Sequence, residues 1–511
     1  MSLYHSPRGL YDFQARFVAY GALRPSNLVV ADTGLGKTHI ALATLALLFE
    51  DDKIDRAFIV VEGNKVKEWM EDIATFTSLR AVKLHGSKRV IPDRTQVVVT
   101  TYSTFKLDFT DRHPADARSM TPSRLALDQP LRLMVVYDET ALIGTSLDSQ
   151  AYLAHKLVTD LWRERGELRA MGLTATPMTT SPLNYFIIGT LLAPELVGEP
   201  HTFFGRYVRE YDRTGRPKRF RNLDEFASII GQIILRKRKT DPDVIDKFPT
   251  LIERFVAVEL SPSHKKAYDA FDEFIHELPE HEQMMGFQAL HAFACHPQAI
   301  LTSESERLQE FVLDYGPDKL KRLSSSKSKA VIPYLREILG QGDAGVIVFC
   351  NSVRALECFA RDLDAEKVSY VLYHGQLTPG ARERAKDAFR SGEARLMLSS
   401  SIGERGINLP EAHYVVNFDV PPQHSAYLQR LSRASRIDAR EGGNLIVRTY
   451  MAQDTIDHGA FRLWMRRNNW SDQIQDLDAI DDPEFISSAD RWRLMSDAAR
   501  VTVTDDALAT A

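Results

Sequence analysis

The chain is predicted to be an α/β protein with two parallel-sheet halves and a mainly helical insertion between them. Three observations carry that prediction. Short β-branched runs alternate with helical periodicities from Ser26 to about Thr174, the alternation fades between Ser181 and about Leu323, and it returns from Gly345 to Arg448. Strands separated by helices imply parallel sheets, with ligands at the carboxyl ends of the strands. The expected segments are residues 1–190, 191–323 and 324–468, followed by an acidic tail over 469–511.

The first half is organised around Ala31-Asp32-Thr33-Gly34-Leu35-Gly36-Lys37-Thr38. This stretch follows the apolar run Leu28-Val29-Val30 and opens into Ile40 to Leu48, so it reads as strand, glycine turn and helix. That is the setting of a phosphate loop. Gly34 and Gly36 let backbone N–H groups close around phosphates, with Thr33 and Leu35 in the same loop, and the helix N-terminus faces their charge. Lys37 reaches the β/γ oxygens and the Thr38 hydroxyl can ligate Mg²⁺. The chain is therefore expected to bind a nucleoside triphosphate.

Upstream, Leu10 to Phe17 has the apolar spacing of an amphipathic helix, with Gln14 on its polar side. Downstream, Arg56–Val61 is a strand, and Lys65 to Phe76 is a helix containing Trp69. Thr95 to Tyr102 is another strand, and the hydroxyls of Thr100 and Thr101 at its end could bind a backbone phosphate. The strand Leu131 to Tyr137 ends in Asp138-Glu139. A phosphate loop needs an acid on a neighbouring strand to hold Mg²⁺ and a second group to activate the attacking water; Asp138 fits the first role and Glu139 the second. Leu168 to Pro177 adds a strand and a Thr-Ala-Thr-Pro turn.

In the middle segment, Ile233-Ile234-Leu235 runs into Arg236-Lys237-Arg238-Lys239. Such a charge run is by itself an ordinary solvated face. In the second half, strands are expected at 345–350, 369–373, 395–399, 414–418 and 445–448, with no phosphate loop. Gln429 to Arg436 places Arg433 and Arg436 three apart on one helix face. Guanidinium groups keep their charge and grip phosphate oxygens in a fork, and an arginine supplied to a transferring phosphate is worth roughly 10³ to 10⁵ in rate.

Taken in order, these blocks resemble the motor core of superfamily 2 helicases and translocases, with its two RecA-like lobes, and within it the Swi/Snf-type DNA translocases. By that resemblance Gln14 is the adenine-reading glutamine, and the blocks 31–38, 100–102, 138–139 and 174–177 are motifs I, Ib, II and III. Gly403 to Leu409 resembles motif V, which implies that Arg405 contacts DNA and Gly406 the nucleotide. Gln429 to Arg436 resembles motif VI. Arg236, Lys237, Arg238 and Lys239 resemble a basic block that touches DNA or bridges the lobes. Leu290 to Pro297 and Thr455-Ile456-Asp457 resemble two further Swi/Snf-type blocks. Thr140-Ala141 follows the acidic pair where the family usually has Ala-His or a similar pair.

Composition limits the partners. With 511 residues, 44% of them apolar, the chain can hold several ordinary cores, and its net charge of −5 offers no overall attraction to nucleic acid. Binding to DNA must come from local patches. Cys295, Cys350 and Cys358 have neither zinc-type spacing nor the pattern of a disulfide framework. No basic, apolar, small-residue leader stands near Met1 and no apolar run approaches a bilayer span, so a cytoplasmic location and no membrane partner are expected. The resemblance implies a motor that hydrolyses ATP with Mg²⁺ to move on duplex DNA, gripping its backbone with little sequence preference. A strand-separating or branch-migrating helicase shares every motif, and a nucleotide-gated DNA clamp with little turnover is a third reading. Protein partners are not encoded in any of these blocks.

Overall fold

The computed structural model describes residues 2–462 apart from 87–88, 114–115, 145, 176, 178–180, 213–214, 401–408, 410 and 436–442. The expected ligands Arg405, Gly406 and Arg436 and the acidic tail lie outside the described residues. The described chain forms two units that part between Ile245 and Asp246.

The first unit is built on a sheet of seven parallel strands: β1 (Ser26–Ala31), β2 (Arg56–Val61), β3 (Ala81–Leu84), β4 (Val97–Thr101), β5 (Arg132–Asp138), β6 (Glu167–Thr174) and β7 (Ile234–Lys237). Their spatial order is β7-β1-β6-β5-β2-β4-β3. β1 and β4 are buried at every residue, as expected for strands covered on both faces. Helices α1 (Asp12–Leu23), α2 (Lys37–Glu50), α3 (Val66–Phe76), α4 (Tyr102–Phe109), α5 (Gln150–Arg165) and α6 (Leu183–Leu192) connect or flank them. Leu28, Phe58, Val135, Trp162, Tyr185 and Phe226 belong to one continuous apolar core.

The second unit has a sheet of six strands: β8 (Thr250–Val258), β9 (Gly345–Phe349), β10 (Val371–Tyr373), β11 (Leu396–Ser399), β12 (Ala412–Asn417) and β13 (Asn444–Ala452). All pairings are parallel, in the order β8-β13-β12-β9-β11-β10. Its principal helices are α7 (Pro262–Glu277), α8 (Glu280–Cys295), α9 (Ser326–Gly340), α10 (Val353–Ala365), α11 (Pro379–Arg390) and α12 (His424–Ala434).

Segment 191–323 is mainly helical, as its pattern predicts, but it does not stand as a separate body. β7 pairs with β1 from Leu28↔Ile234 to Ala31↔Lys237, which binds 191–245 to the first unit. β8 pairs with β13 from Thr250↔Asn444 to Val258↔Ala452, and Phe271 and Phe293 share a core with Ile347 and Phe349. Hydrogen-bonded strand edges and a shared apolar interior thus place the boundary at 245, away from 190 and 323. Among the described residues, no helix is long and apolar enough to cross a membrane.

Candidate nucleotide site

The phosphate loop leaves the carboxyl end of β1 and enters α2 through two left-handed glycines, Gly34 (φ 92°) and Gly36 (φ 76°). Only glycine takes such angles without steric cost. A Cβ on Gly36 would lie 2.4 Å from Nε2 of Gln14, so the loop and α1 meet where no side chain fits. The Gln14 amide donates to the carbonyl of Leu35 (3.0 Å) and accepts from the N–H of Tyr11 (3.0 Å). The expected adenine-reading residue is therefore fastened to the phosphate loop itself. Lys37 Nζ donates to the carbonyl of Ala31 (2.7 Å), folding its ammonium back over the loop, and Thr38 follows in the first turn of α2. The loop shape, the lysine and the helix N-terminus fit a bound triphosphate.

Asp138 ends β5, two strands from β1 at the same carboxyl edge. Its Oδ2 accepts a hydrogen bond from the indole of Trp69 (2.8 Å), and its carbonyl accepts one from the Tyr102 hydroxyl (2.8 Å). Burial raises the Asp138 pKa, while Trp69, Lys65 and Lys37 oppose the rise. Thr38 and Asp138 supply the oxygen donors that Mg²⁺ prefers.

Glu139 has a left-handed backbone (φ 59°), which is rare for a residue with a side chain and recurrent at functional sites. It caps the short helical turn Thr140–Leu142. Gly172 of β6 leaves room for that turn, since a Cβ there would lie 2.9 Å from the Thr140 methyl. The Thr174 hydroxyl donates to Glu139 Oε1 (2.9 Å). The acidic block and the Thr-Ala-Thr-Pro block are thus joined directly, through Glu139 and Thr174.

In the second unit, Arg433 lies on α12 with its Nε donating to the carbonyl of Gln429 (3.2 Å). Its neighbour Arg430, not singled out by sequence reasoning, is fully buried and paired with Asp419 (2.7 Å). A second buried cluster stands close by. Lys327 is ion-paired with Asp457, and His291 lies 3.2 Å from Asp457. Burial opposes charge on His291, but Asp457 and Asp419 outweigh it and lift its pKa to about 9. The Thr-Ile-Asp block therefore serves as the acidic centre of a buried cluster.

Two groups expected to touch DNA are engaged within the first unit. Thr100 and Thr101 do not present free hydroxyls to a phosphate backbone. Thr100 is buried and donates to the carbonyl of Leu84 (3.0 Å), and Thr101 caps α4 by accepting from the N–H of Thr104 (3.1 Å). Lys237 is also turned inward. It is buried at the end of β7 and ion-paired with Asp241 (3.2 Å) and Asp243, so it offers no open charge to DNA. Arg236, Arg238 and Lys239 are half-buried, and the backbone N–H of Lys239 donates to Asp32 of the phosphate loop (2.8 Å).

Among the described residues, fold and site together define a nucleotide-binding α/β protein with one phosphate loop and two parallel-sheet units. The SNF2-related domain family matches residues 15–306, more than half of the chain, and the helicase conserved C-terminal domain matches 329–438. The chain belongs to the SNF2-related family and carries the two-part core of ATP-dependent helicases. It is 20% identical over 424 residues to the uncharacterized ATP-dependent helicase YqhH of Bacillus subtilis, covering 80% of this chain and 69% of that protein. It is 22% identical over 474 residues to the uncharacterized ATP-dependent helicase MG018 of Mycoplasma genitalium, covering 92% of this chain but 42% of that protein. The chain therefore spans less than half the length of the Mycoplasma relative. Among solved structures, the Hef helicase domain of Pyrococcus furiosus superposes with a TM-score of 0.55 at 17% identity, covering 91% of this chain and 100% of that one. This likeness supports the RecA-like fold of both units.

Proposed function

We propose that the chain hydrolyses ATP with Mg²⁺ to move along duplex DNA. The observation that carries the hydrolytic reading is the convergence of the phosphate loop, Asp138 and Glu139 on one carboxyl edge, with Glu139 held by Thr174. Membership of the SNF2-related family, together with the Swi/Snf-type blocks in their usual order, supports duplex DNA as the track. Arg236, Arg238 and Lys239 are the basic residues proposed to meet its backbone.

In this reading Lys37 exchanges the Ala31 carbonyl for β/γ-phosphate oxygens, and Gln14 holds the base while bracing the loop at Leu35. Mg²⁺, held by Thr38 and Asp138, would neutralise phosphate charge. Glu139 accepts a proton from the water whose oxygen attacks the γ-phosphorus, the bond to the β-phosphate oxygen breaks, and ADP and phosphate are released. Arg433 and Arg436 are proposed to stabilise charge on the transferring group.

The test is steady-state ATP hydrolysis with no nucleic acid, single-stranded DNA, duplex DNA or RNA, with Lys37→Ala as the blank. Stimulation chiefly by duplex DNA is expected. Stimulation chiefly by single strands would replace the translocase by a strand-separating helicase, and turnover indifferent to every nucleic acid would overturn the motor reading.

A further inference from the structure

We infer that Trp69 is a positioning residue for the metal-binding carboxylate of Asp138, fixing which oxygen of that carboxylate is left for a divalent cation. The inference rests on the nucleotide reading above and goes beyond it by assigning a function to a residue outside every block that contacts ATP.

The geometry follows from strand order. β2 and β5 are neighbours, with Val60 opposite Tyr137, so both chains reach the carboxyl edge side by side. After β2 the chain makes the short turn Gly63–Lys65 and starts α3 at Val66, which sets residue 69 in the opening turn of the helix beside the end of β5. Trp69 is 2% exposed, among the largest fully enclosed side chains of the protein. An indole N–H is a donor with no acceptor capacity, and a buried donor requires a partner. Its partner is Oδ2 of Asp138 at 2.8 Å, a charge-assisted bond to the residue expected to face the metal. The Tyr102 hydroxyl holds the carbonyl of the same residue, so main chain and side chain are fixed from two different helices.

A carboxylate has two oxygens and a soft terminal torsion. With Oδ2 held by the indole, the torsion is set before any cation arrives and Oδ1 is the oxygen left for it. Mg²⁺ demands near-ideal octahedral geometry and takes few protein ligands, so a freely turning carboxylate binds it poorly. Outer partners that orient a metal ligand are typically worth about 10- to 100-fold in metal affinity. A Trp that served packing alone would have no such effect.

The test uses the full chain and Trp69→Phe, which keeps an aromatic ring and removes the donor. ADP affinity is measured calorimetrically with and without Mg²⁺, and indole fluorescence is followed through the Mg²⁺ titration. Expected are metal-free ADP affinity within about twofold of the parent, a Mg²⁺ half-saturation raised about 10- to 100-fold, and loss of the metal-dependent emission change. A Mg²⁺ half-saturation within about twofold of the parent would overturn the assignment. If Trp69→Phe does not melt cooperatively, the parent chain carrying [¹⁵N-indole]tryptophan decides the matter. An indole resonance that moves with Mg²⁺ but not with metal-free ADP, and is lost in Asp138→Asn, supports the inference; no metal-sensitive indole overturns it. If the parent shows no Mg²⁺-dependent ADP binding and matches Lys37→Ala, the nucleotide reading fails and this inference fails with it. That outcome is distinct from a parent and a Trp69→Phe chain that bind alike.

Discussion

Replacing Lys327 by Met isolates the energetic weight of the buried cluster in the second unit. Both side chains of the Lys327–Asp457 pair are fully enclosed, and the ammonium also donates to the carbonyl of Phe418 (2.7 Å). Methionine nearly preserves the volume while stranding the carboxylate. Removing one partner of a buried ion pair costs about 3–5 kcal/mol, because the remaining charge loses that counter-ion without regaining water. Asp457 keeps His291 at 3.2 Å and the N–H of Ala452 at 3.2 Å, which places the loss near the lower end, about 3 kcal/mol. For a unit of this size each kcal/mol moves the midpoint by about 2–4 °C, so the second unit should melt about 6–12 °C earlier. Scanning calorimetry of the full chain reads this as an earlier transition with the first unit's transition unmoved. Neutralising both partners in Lys327→Met/Asp457→Asn should recover about half of the loss, since no anion is then stranded. A midpoint within about 2 °C of the parent for Lys327→Met would refute the reasoning.

Further expectations follow from the same geometry. Gly36→Ala puts a methyl 2.4 Å from Gln14 Nε2 at a left-handed residue, at a cost of about 1–2 kcal/mol in backbone strain alone. ADP binding by calorimetry should weaken about tenfold or more. Thr174→Val removes the donor that orients Glu139, so ATP turnover should fall about tenfold or more with ADP affinity unchanged, and equal turnover would deny Glu139 its part. The His291 pKa is raised from 6.5 to about 9, so its contribution is complete below pH 6.5 and disappears as pH rises through 9. Urea titrations should show about 2–3 kcal/mol less stability at pH 10 than at pH 7, and His291→Gln should flatten that slope.

What was legible in the sequence was local or repeated. Gly34, Gly36, Lys37 and Thr38 announce their loop because strand, turn and helix are contiguous, and Asp138-Glu139 follows a strand that is unmistakable by composition. β7 was hidden for the opposite reason. It is a four-residue strand whose partner lies some two hundred residues upstream, and nothing near Ile234 encodes that pairing. The pairing of Lys237 is hidden for the same cause, since a basic residue at a strand end looks solvated until Asp241 and Asp243 fold back onto it. Thr101 carried a local signal that could have been used, as a Thr three residues ahead of Thr104 at a strand-to-helix junction is an ordinary N-cap. Arg430 and Arg433 stand three apart on one helix, and only the position of Asp419 shows that Arg430 is the one spent on structure. Trp69 was visible as an aromatic residue in a helix, but its bond to Asp138 depends on strand order rather than spacing.

The late arrival of β7 has a consequence for the chain as it leaves the ribosome. The strand that carries the phosphate loop is flanked by β6, made from residues 167–174, and by β7, made from 234–237. A nascent chain ended near residue 190 has its nucleotide loop in place yet leaves β1 as a bare sheet margin, the kind of edge that recruits other strands. Stopping synthesis or cutting a gene there should give an aggregating fragment, whereas a stop at 245 closes the margin from within.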